Sequence, residues 1–124
     1  MKALTIASLC LAALLAAGSA HAYAIYNHTD HKVCISTGGE GCDFYVSGHS
    51  KHNGEHGAGL KDASVIWKKH GDCYGRDGID IPKGGFIRIY DHEIKIYNHH
   101  NKRLHTKGTH SVDCPNYILS LIHI

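Results

Sequence analysis

The chain has few of the residues that would mark an unusual architecture. Its 124 residues include only two prolines and one tryptophan, and its cysteines form no C-x-x-C pair. The formal net charge is only +2, which is too small to suggest a nucleic-acid-binding domain by bulk electrostatics, and we expect no nucleic-acid partner. Hydrophobic residues make up 43% and charged residues 19%, which is a globular composition of single-domain length.

Long apolar runs are also scarce, and the longest lies near the N terminus. Residues 4–17 are apolar and follow Lys2, and the Ala20-His21-Ala22 segment has the small-x-small pattern of a signal-peptide cleavage site. We therefore expect residues 1–22 to be a signal peptide that is cleaved after Ala22. The run is too short to favour a membrane span, so we expect a secreted or periplasmic mature chain without a transmembrane segment.

The C-terminal residues 119–124 have a sequence of a different kind. They spell LSLIHI, which is identical to the translation of a common sequencing adapter in one frame. We interpret residues 119–124 as a non-native tail. Residues 23–118 then form a single secreted β domain.

The cysteines support an extracytoplasmic destination. Beyond the expected signal peptide the chain has four, an even number in a segment of about a hundred residues: Cys34, Cys42, Cys73 and Cys114. In an oxidising compartment this number predicts two disulfides rather than a zinc–thiolate site. Three pairings are possible, and the sequence does not choose among them.

Short β-rich runs separated by turn residues predict an all-β fold. We expect eight strands, near residues 23–27, 32–36, 42–47, 64–69, 78–81, 85–90, 94–98 and 105–112. This pattern favours a small antiparallel β-sandwich, or a partly open barrel, of seven to eight strands. The segment between residues 48 and 62 is the one long irregular loop in this interpretation.

Histidine is the most over-represented residue, with 13 copies. The loop at residues 48–62 contains His49, His52 and His56, and neutral imidazole is a common ligand of zinc, copper and nickel. If eight strands simply alternate in direction, His99 and His100 lie at the same end of the sheets as this loop. The cysteines then lie at the opposite end.

These observations predict an exported β-sandwich that acts by binding. The first hypothesis is binding or buffering of a transition metal ion (Zn, Cu or Ni) by His49, His52, His56, His99 and His100. The alternative is a cell-envelope or extracellular interaction or inhibitor-like module that has no metal. A third is a small secreted hydrolase or toxin that uses a histidine and lysine set: His100, Lys102, His105 and His110.

Two further patterns concern ligands other than metals. Aromatic residues could line a sugar-binding face, although aromatic residues on strands are more often core residues or cross-strand pairs: Tyr26, Tyr45, Trp67, Tyr90 and Tyr97. Arg88 and Tyr90 are expected on the solvent side of their hairpin. The basic histidine-rich stretch from His99 to His110 could instead be an anion or polysaccharide patch, or an ordinary exposed hairpin end.

Overall fold

The computed structural model describes residues 22–54 and 58–119, apart from the side chain of Leu119. In chain order the elements are β1 (Tyr23–Asn27), β2 (Val33–Ser36), β3 (Phe44–Val46), β4 (Lys51–Asn53), β5 (Leu60–Lys69), β6 (Asp72–Ile81), β7 (Gly85–Ile89), β8 (Glu93–Tyr97), β9 (Arg103–Gly108), β10 (His110–Val112) and the short helix α1 (Asn116–Leu119). Two five-stranded sheets result. Sheet A has the order β4-β1-β7-β8-β9, and sheet B has the order β10-β6-β5-β2-β3.

The core lies between the two sheets and consists mainly of β-branched residues. Sheet A contributes Ile25 of β1 and the alternating isoleucines of β7 and β8, and sheet B contributes alternate residues of β2, β5 and β6. Alternation with period two is what places one face of each strand in the core. The prediction of an all-β fold is therefore confirmed.

The strand count is ten rather than seven or eight. The additional strand β4 has the sequence Lys51-His52-Asn53, which contains no β-branched or aromatic residue and lies within the predicted loop. The last expected strand, at residues 105–112, is divided into β9 and β10. Thr109 alone separates these two strands, so the chain passes from sheet A to sheet B and joins the sheets along one side.

The sheets are not wholly antiparallel, contrary to expectation. β1 pairs with β7 in parallel, with Tyr23 opposite Gly85 and Asn27 opposite Ile89. Asn27 fixes the end of this pair: its buried amide nitrogen donates hydrogen bonds to the carbonyl oxygens of His31 and Val46. Its side-chain oxygen accepts from Thr29. These bonds hold the end of β1 against sheet B.

The outward side of sheet B is covered by the C-terminal part of the domain. Ile118 of α1 is fully buried there and packs in a second apolar cluster with Ile66. Both disulfides belong to this cluster, and they join Cys34 to Cys42 and Cys73 to Cys114. The prediction of two disulfides is confirmed, and the pairing left open by the sequence is resolved. No helix in the described part of the chain is long and apolar enough to cross a membrane.

Candidate functional site

The first predicted metal ligand, His49, lies in the turn between β3 and β4. Its φ of 58° is in the left-handed region, and its backbone N–H donates to the carbonyl oxygen of Thr29. Gly48 permits this approach, because a Cβ there would lie 2.9 Å from the backbone of Asp30. The His49 Nε2 is 2.5 Å from the Asp30 Oδ1, and both side chains are exposed. This hydrogen bond, followed by the charge of His49, lowers the pKa of Asp30.

His52 has a packing environment instead. It lies opposite Ile25 on β4 and therefore points to the inner side of sheet A. Its ring stacks on Phe44 of β3, with 4.0 Å between the ring centroids. His52 thus packs along the side of the sandwich where β4 and β3, the edge strands of the two sheets, come together. His56 lies outside the described residues.

His99 and His100 lie in the turn that follows β8, with their ring centroids 3.8 Å apart. β8 runs antiparallel to β7, and β7 runs parallel to β1, so this turn lies beside the start of β1. His49 lies beside the residues that follow β1. The two groups are therefore separated by about the length of β1, roughly 13 Å.

The missed strand β4 explains this separation. Each additional strand reverses the chain, so β4 moves every later connection to the other end of the sheets. His70 and His92, in the turns that follow β5 and β7, consequently lie at the same end as His49. Within residues 22–54 and 58–119, no three His, Cys, Asp or Glu side chains are grouped as metal ligands would be.

The structure also separates the histidine and lysine set of the third hypothesis. β9 runs from the turn that holds His100 and Lys102 to the end that holds His110. His105 lies on β9 between them, and His110 begins β10 of sheet B. These side chains do not converge on one cleft.

A different group of side chains does converge, on the outward side of sheet A. Ile25, Ile87 and Ile96 face the core, so their chain neighbours on the same strands face outward. We call this surface the open face, and its rings and charged groups include Tyr26, His28, Lys51, Phe86, Arg88, Tyr90, Glu93, Lys95 and Tyr97. No element among the described residues packs over it as α1 packs over sheet B.

The middle of the open face is a row of cations and one ring in register across four strands. Lys51 is opposite Tyr26, Tyr26 is opposite Arg88, and Arg88 is opposite Lys95. The Lys51 ammonium lies 5.1 Å from the centroid of the Tyr26 ring, and the Arg88 guanidinium carbon lies 4.6 Å from it. The single ring thus contacts two cations.

Aromatic rings flank this row on both sides. Towards the start of β1, Phe86 and Tyr97 stack with centroids 4.6 Å apart and planes inclined by 8°. Towards the end of β1, His28 stacks on Tyr90 with centroids 4.9 Å apart. Phe86 also meets Tyr26 edge-on at 5.6 Å. The rings therefore pack against one another and hold the surface in a fixed arrangement.

Arg88 is at the centre of this arrangement. Its guanidinium lies over Tyr26 and, at 5.4 Å, over Phe86. Its Nη1 donates a hydrogen bond of 3.0 Å to the Nε2 of His28, which requires a neutral His28 ring with its proton on Nδ1. Among the described residues, no carboxylate lies within ion-pair distance of Arg88.

The pKa of His28 is lowered from its ordinary value of 6.5. The causes are burial first, then the charge of Arg88 and that of His49. The lowered pKa favours the neutral ring that accepts the Arg88 hydrogen bond. At neutral pH the lowered pKa of His28 and its hydrogen bond from Arg88 therefore favour the same neutral form of the ring.

Periodicity in the sequence identifies part of this surface. It predicts Arg88 and Tyr90 on the solvent side, and both lie on the open face. It misses Lys51, since β4 has no strand signal, and it cannot align Tyr26 with Arg88 because the β1–β7 pair is parallel. Two of the aromatic residues considered for a sugar-binding face lie elsewhere: Trp67 is buried in the core, and Tyr45 is on β3 of sheet B.

Comparisons with known protein families, with curated proteins and with solved structures found no match to this chain.

Proposed function

We propose that this protein is an extracytoplasmic binding protein that holds a polyanionic ligand on the open face. The observation that carries the proposal is the register of Lys51, Arg88 and Lys95 in one row across sheet A. Like charges directly opposite each other destabilise a sheet, and the carboxylate of Glu93, 3.7 Å from Lys95, balances one of the three cations in this row. An anion laid along the row would relieve this repulsion.

The distribution of charge between the sheets supports the same proposal. The strands of sheet A contain five Lys and Arg residues and one acidic residue, Glu93. The strands of sheet B contain four basic and four acidic residues. A net charge of only +2 for the whole chain thus conceals one markedly cationic sheet. Complementary charge of this kind favours association with an anionic partner.

Two disulfides fit an extracellular or periplasmic protein. We further propose that the protein is exported to one of these compartments and that its signal peptide is cleaved after Ala22. Mass spectrometry of the exported protein tests it, and an N terminus at Tyr23 is the expected result. A chain that retains residues 1–22 would contradict this part of the proposal.

Binding to dextran sulfate, a soluble polyanion, tests the open face directly. The variant Lys51→Ala/Arg88→Ala/Lys95→Ala is expected to bind about tenfold or more weakly, equivalent to about 1.4 kcal/mol of lost binding energy. The matched control removes the same charge from sheet B by Lys61→Ala/Lys68→Ala/Lys69→Ala and should change affinity by less than about twofold. Thermal melting verifies that both variants fold. Equal losses in the two variants would overturn the proposal.

A second candidate function is the predicted binding of zinc, copper or nickel. The observation that favours it is that the imidazole of His49 lies beside the carboxylate of Asp30, and a bound ion would replace the hydrogen bond that joins them. Metal ions that bind only the native state raise its melting temperature, and the rise grows as the free metal concentration exceeds the dissociation constant. Zinc should then stabilise the protein near pH 7 but stabilise the His49→Gln variant less. No stabilisation by any of the three ions would contradict this function.

A further inference from the structure

We infer that the ligand of the open face is an acidic polysaccharide whose carboxylate groups bind along the row of Lys51, Arg88 and Lys95. This inference rests on the proposed function, because it names the ligand class of the same surface. Three features of the open face support it: the preparation of Arg88 for a carboxylate, the spacing of the cations, and the occupation of the ring faces.

Arg88 is prepared to receive a carboxylate. Its guanidinium is held by Tyr26 and Phe86, and one of its five N–H groups is used by His28. Most of its N–H donors are therefore left for a ligand, because no described carboxylate lies within ion-pair distance. A planar guanidinium matches a carboxylate through two parallel hydrogen bonds. The cost of ordering this long side chain is reduced because the contacts are already present in the free protein.

The spacing of the cations favours a sugar chain. Neighbouring strands are about 4.8 Å apart, so Arg88 and Lys95 arise one spacing apart, and Lys51 and Arg88 two spacings, or about 9.6 Å, apart. In an extended linear polyuronate the carboxylates on one face recur every second sugar, which is nearly two strand spacings and so matches the interval between Lys51 and Arg88. Side chains on one face of an extended polypeptide instead recur about every 6.6 Å. A polyuronate therefore follows the row more closely than an acidic polypeptide does.

The orientation of the rings disfavours single-stranded nucleic acid. Proteins bind unpaired bases by offering free aromatic faces for stacking. On the open face these surfaces are occupied, since Phe86 and Tyr97 face each other and His28 faces Tyr90. Tyr26 is contacted by two cations. What the surface offers instead is charge, together with the hydroxyl groups of Tyr26, Tyr90 and Tyr97. Charges and hydroxyl groups match the carboxylate and hydroxyl groups of a uronic acid chain.

Calorimetric titration with oligogalacturonate tests the inference. The matched ligand is the same oligomer with its carboxyl groups methyl-esterified, which keeps the sugar chain and removes its charge. Polyglutamate and oligo(dT) of equal charge are the competing macromolecules. We expect oligogalacturonate to bind about tenfold or more tightly than each of the other three. Equal or tighter binding of polyglutamate or oligo(dT) would overturn the inference.

The variant Arg88→Lys separates the shape of the guanidinium from its charge. It should weaken oligogalacturonate binding about fivefold or more but change dextran sulfate binding by less than about twofold. The control Arg76→Lys, on sheet B, should change neither. If Arg88→Lys weakens neither ligand, the assigned role of Arg88 is wrong. If dextran sulfate binds through the open face but oligogalacturonate is not preferred, the inference fails while the proposed function stands. If neither dextran sulfate nor oligogalacturonate binds through the open face, the inference and the proposed function are both refuted.

Discussion

The outward sides of the two sheets differ in whether another segment of the chain covers them. On sheet B, Ile66 and Ile118 are buried together beneath the C-terminal segment, and two disulfides lie in the same cluster. On sheet A, no described segment provides such a cover. Its rings and cations pack against one another, with Arg88 in contact with both Tyr26 and Phe86, and Lys95 also pairs with Glu93. One face is thus built for stability, and the other is ordered without being covered.

This difference shows how a small domain can keep a rigid surface available for a ligand. An apolar outward face needs a cover, and sheet B obtains it from α1 and a disulfide. Cation–π contacts order the open face while its charge stays accessible. The comparison predicts that stability is concentrated on the sheet B side and ligand binding on the sheet A side.

The largest expected effect comes from removing the disulfide that attaches the cover. Cys73→Ala/Cys114→Ala opens a link of sequence separation 41 and should lower the free energy of unfolding by about 4 kcal/mol. Cys34→Ala/Cys42→Ala opens a link of separation 8 and should lower it by about 2.5 kcal/mol. Urea denaturation measures both. Equal losses, or the reverse order, would contradict the assignment of the longer link as the main restraint.

A smaller effect is expected from truncating one side chain on each outward side. Ile118→Ala leaves a cavity under α1 and should lower the free energy of unfolding by about 2–4 kcal/mol. Tyr97→Ala removes a half-buried ring stacked on Phe86 and should lower it by about 1 kcal/mol. The same denaturation experiment compares them. A Tyr97→Ala variant that is the less stable of the two would show that the open face, too, serves mainly stability.

The core-facing sides of the strands could be predicted from the sequence where apolar and polar residues alternate regularly. In β7 and β8, isoleucines alternate with polar or aromatic residues, and this pattern identifies both strands and their buried sides. The turn between them follows from Asp91-His92-Glu93. Periodicity alone therefore suffices to assign Arg88 and Tyr90 to the solvent side.

The surface as a whole could not be predicted, for two physical reasons. Lys51-His52-Asn53 becomes a strand because it pairs with β1, not because its residues favour one. The parallel pairing of β1 with β7 joins residues that are far apart in the sequence, and no local pattern encodes it. Because of the unpredicted strand, His99 and His100 lie at the end of the sheets opposite to the one expected. The metal site that depends on that placement therefore stays a prediction.

The titration of His28 should distinguish the open face from the rest of the surface. Its pKa is expected below the ordinary value of about 6.5, because of burial and the nearby charges of Arg88 and His49. Between its two pKa values the unfolded chain binds a proton that the native chain does not. The contribution of His28 to stability is therefore present above about pH 6.5 and is lost as the pH falls through the native pKa.

NMR titration of the imidazole C–H signals measures this pKa. Arg88→Gln removes one of the nearby positive charges and should raise the pKa of His28 towards its ordinary value. Arg103→Gln, a change of the same size on β9, is the control and should leave it unaltered. If Arg88→Gln leaves the pKa of His28 unchanged, the Arg88–His28 hydrogen bond does not persist in solution.

The smallest effect, and the sharpest test of charge on the two sheets, concerns single carboxylates. Glu93 is the one acidic residue in the strands of sheet A, and its Oε1 lies 3.7 Å from the Nζ of Lys95. Glu93→Gln should strengthen dextran sulfate binding by about twofold, since exposed ion pairs contribute only a few tenths of a kcal/mol. Asp77→Asn makes the same change of charge on sheet B and should leave binding within error of the original protein. Should both variants bind more tightly by the same factor, net charge rather than the placement of Lys51, Arg88 and Lys95 would govern the affinity.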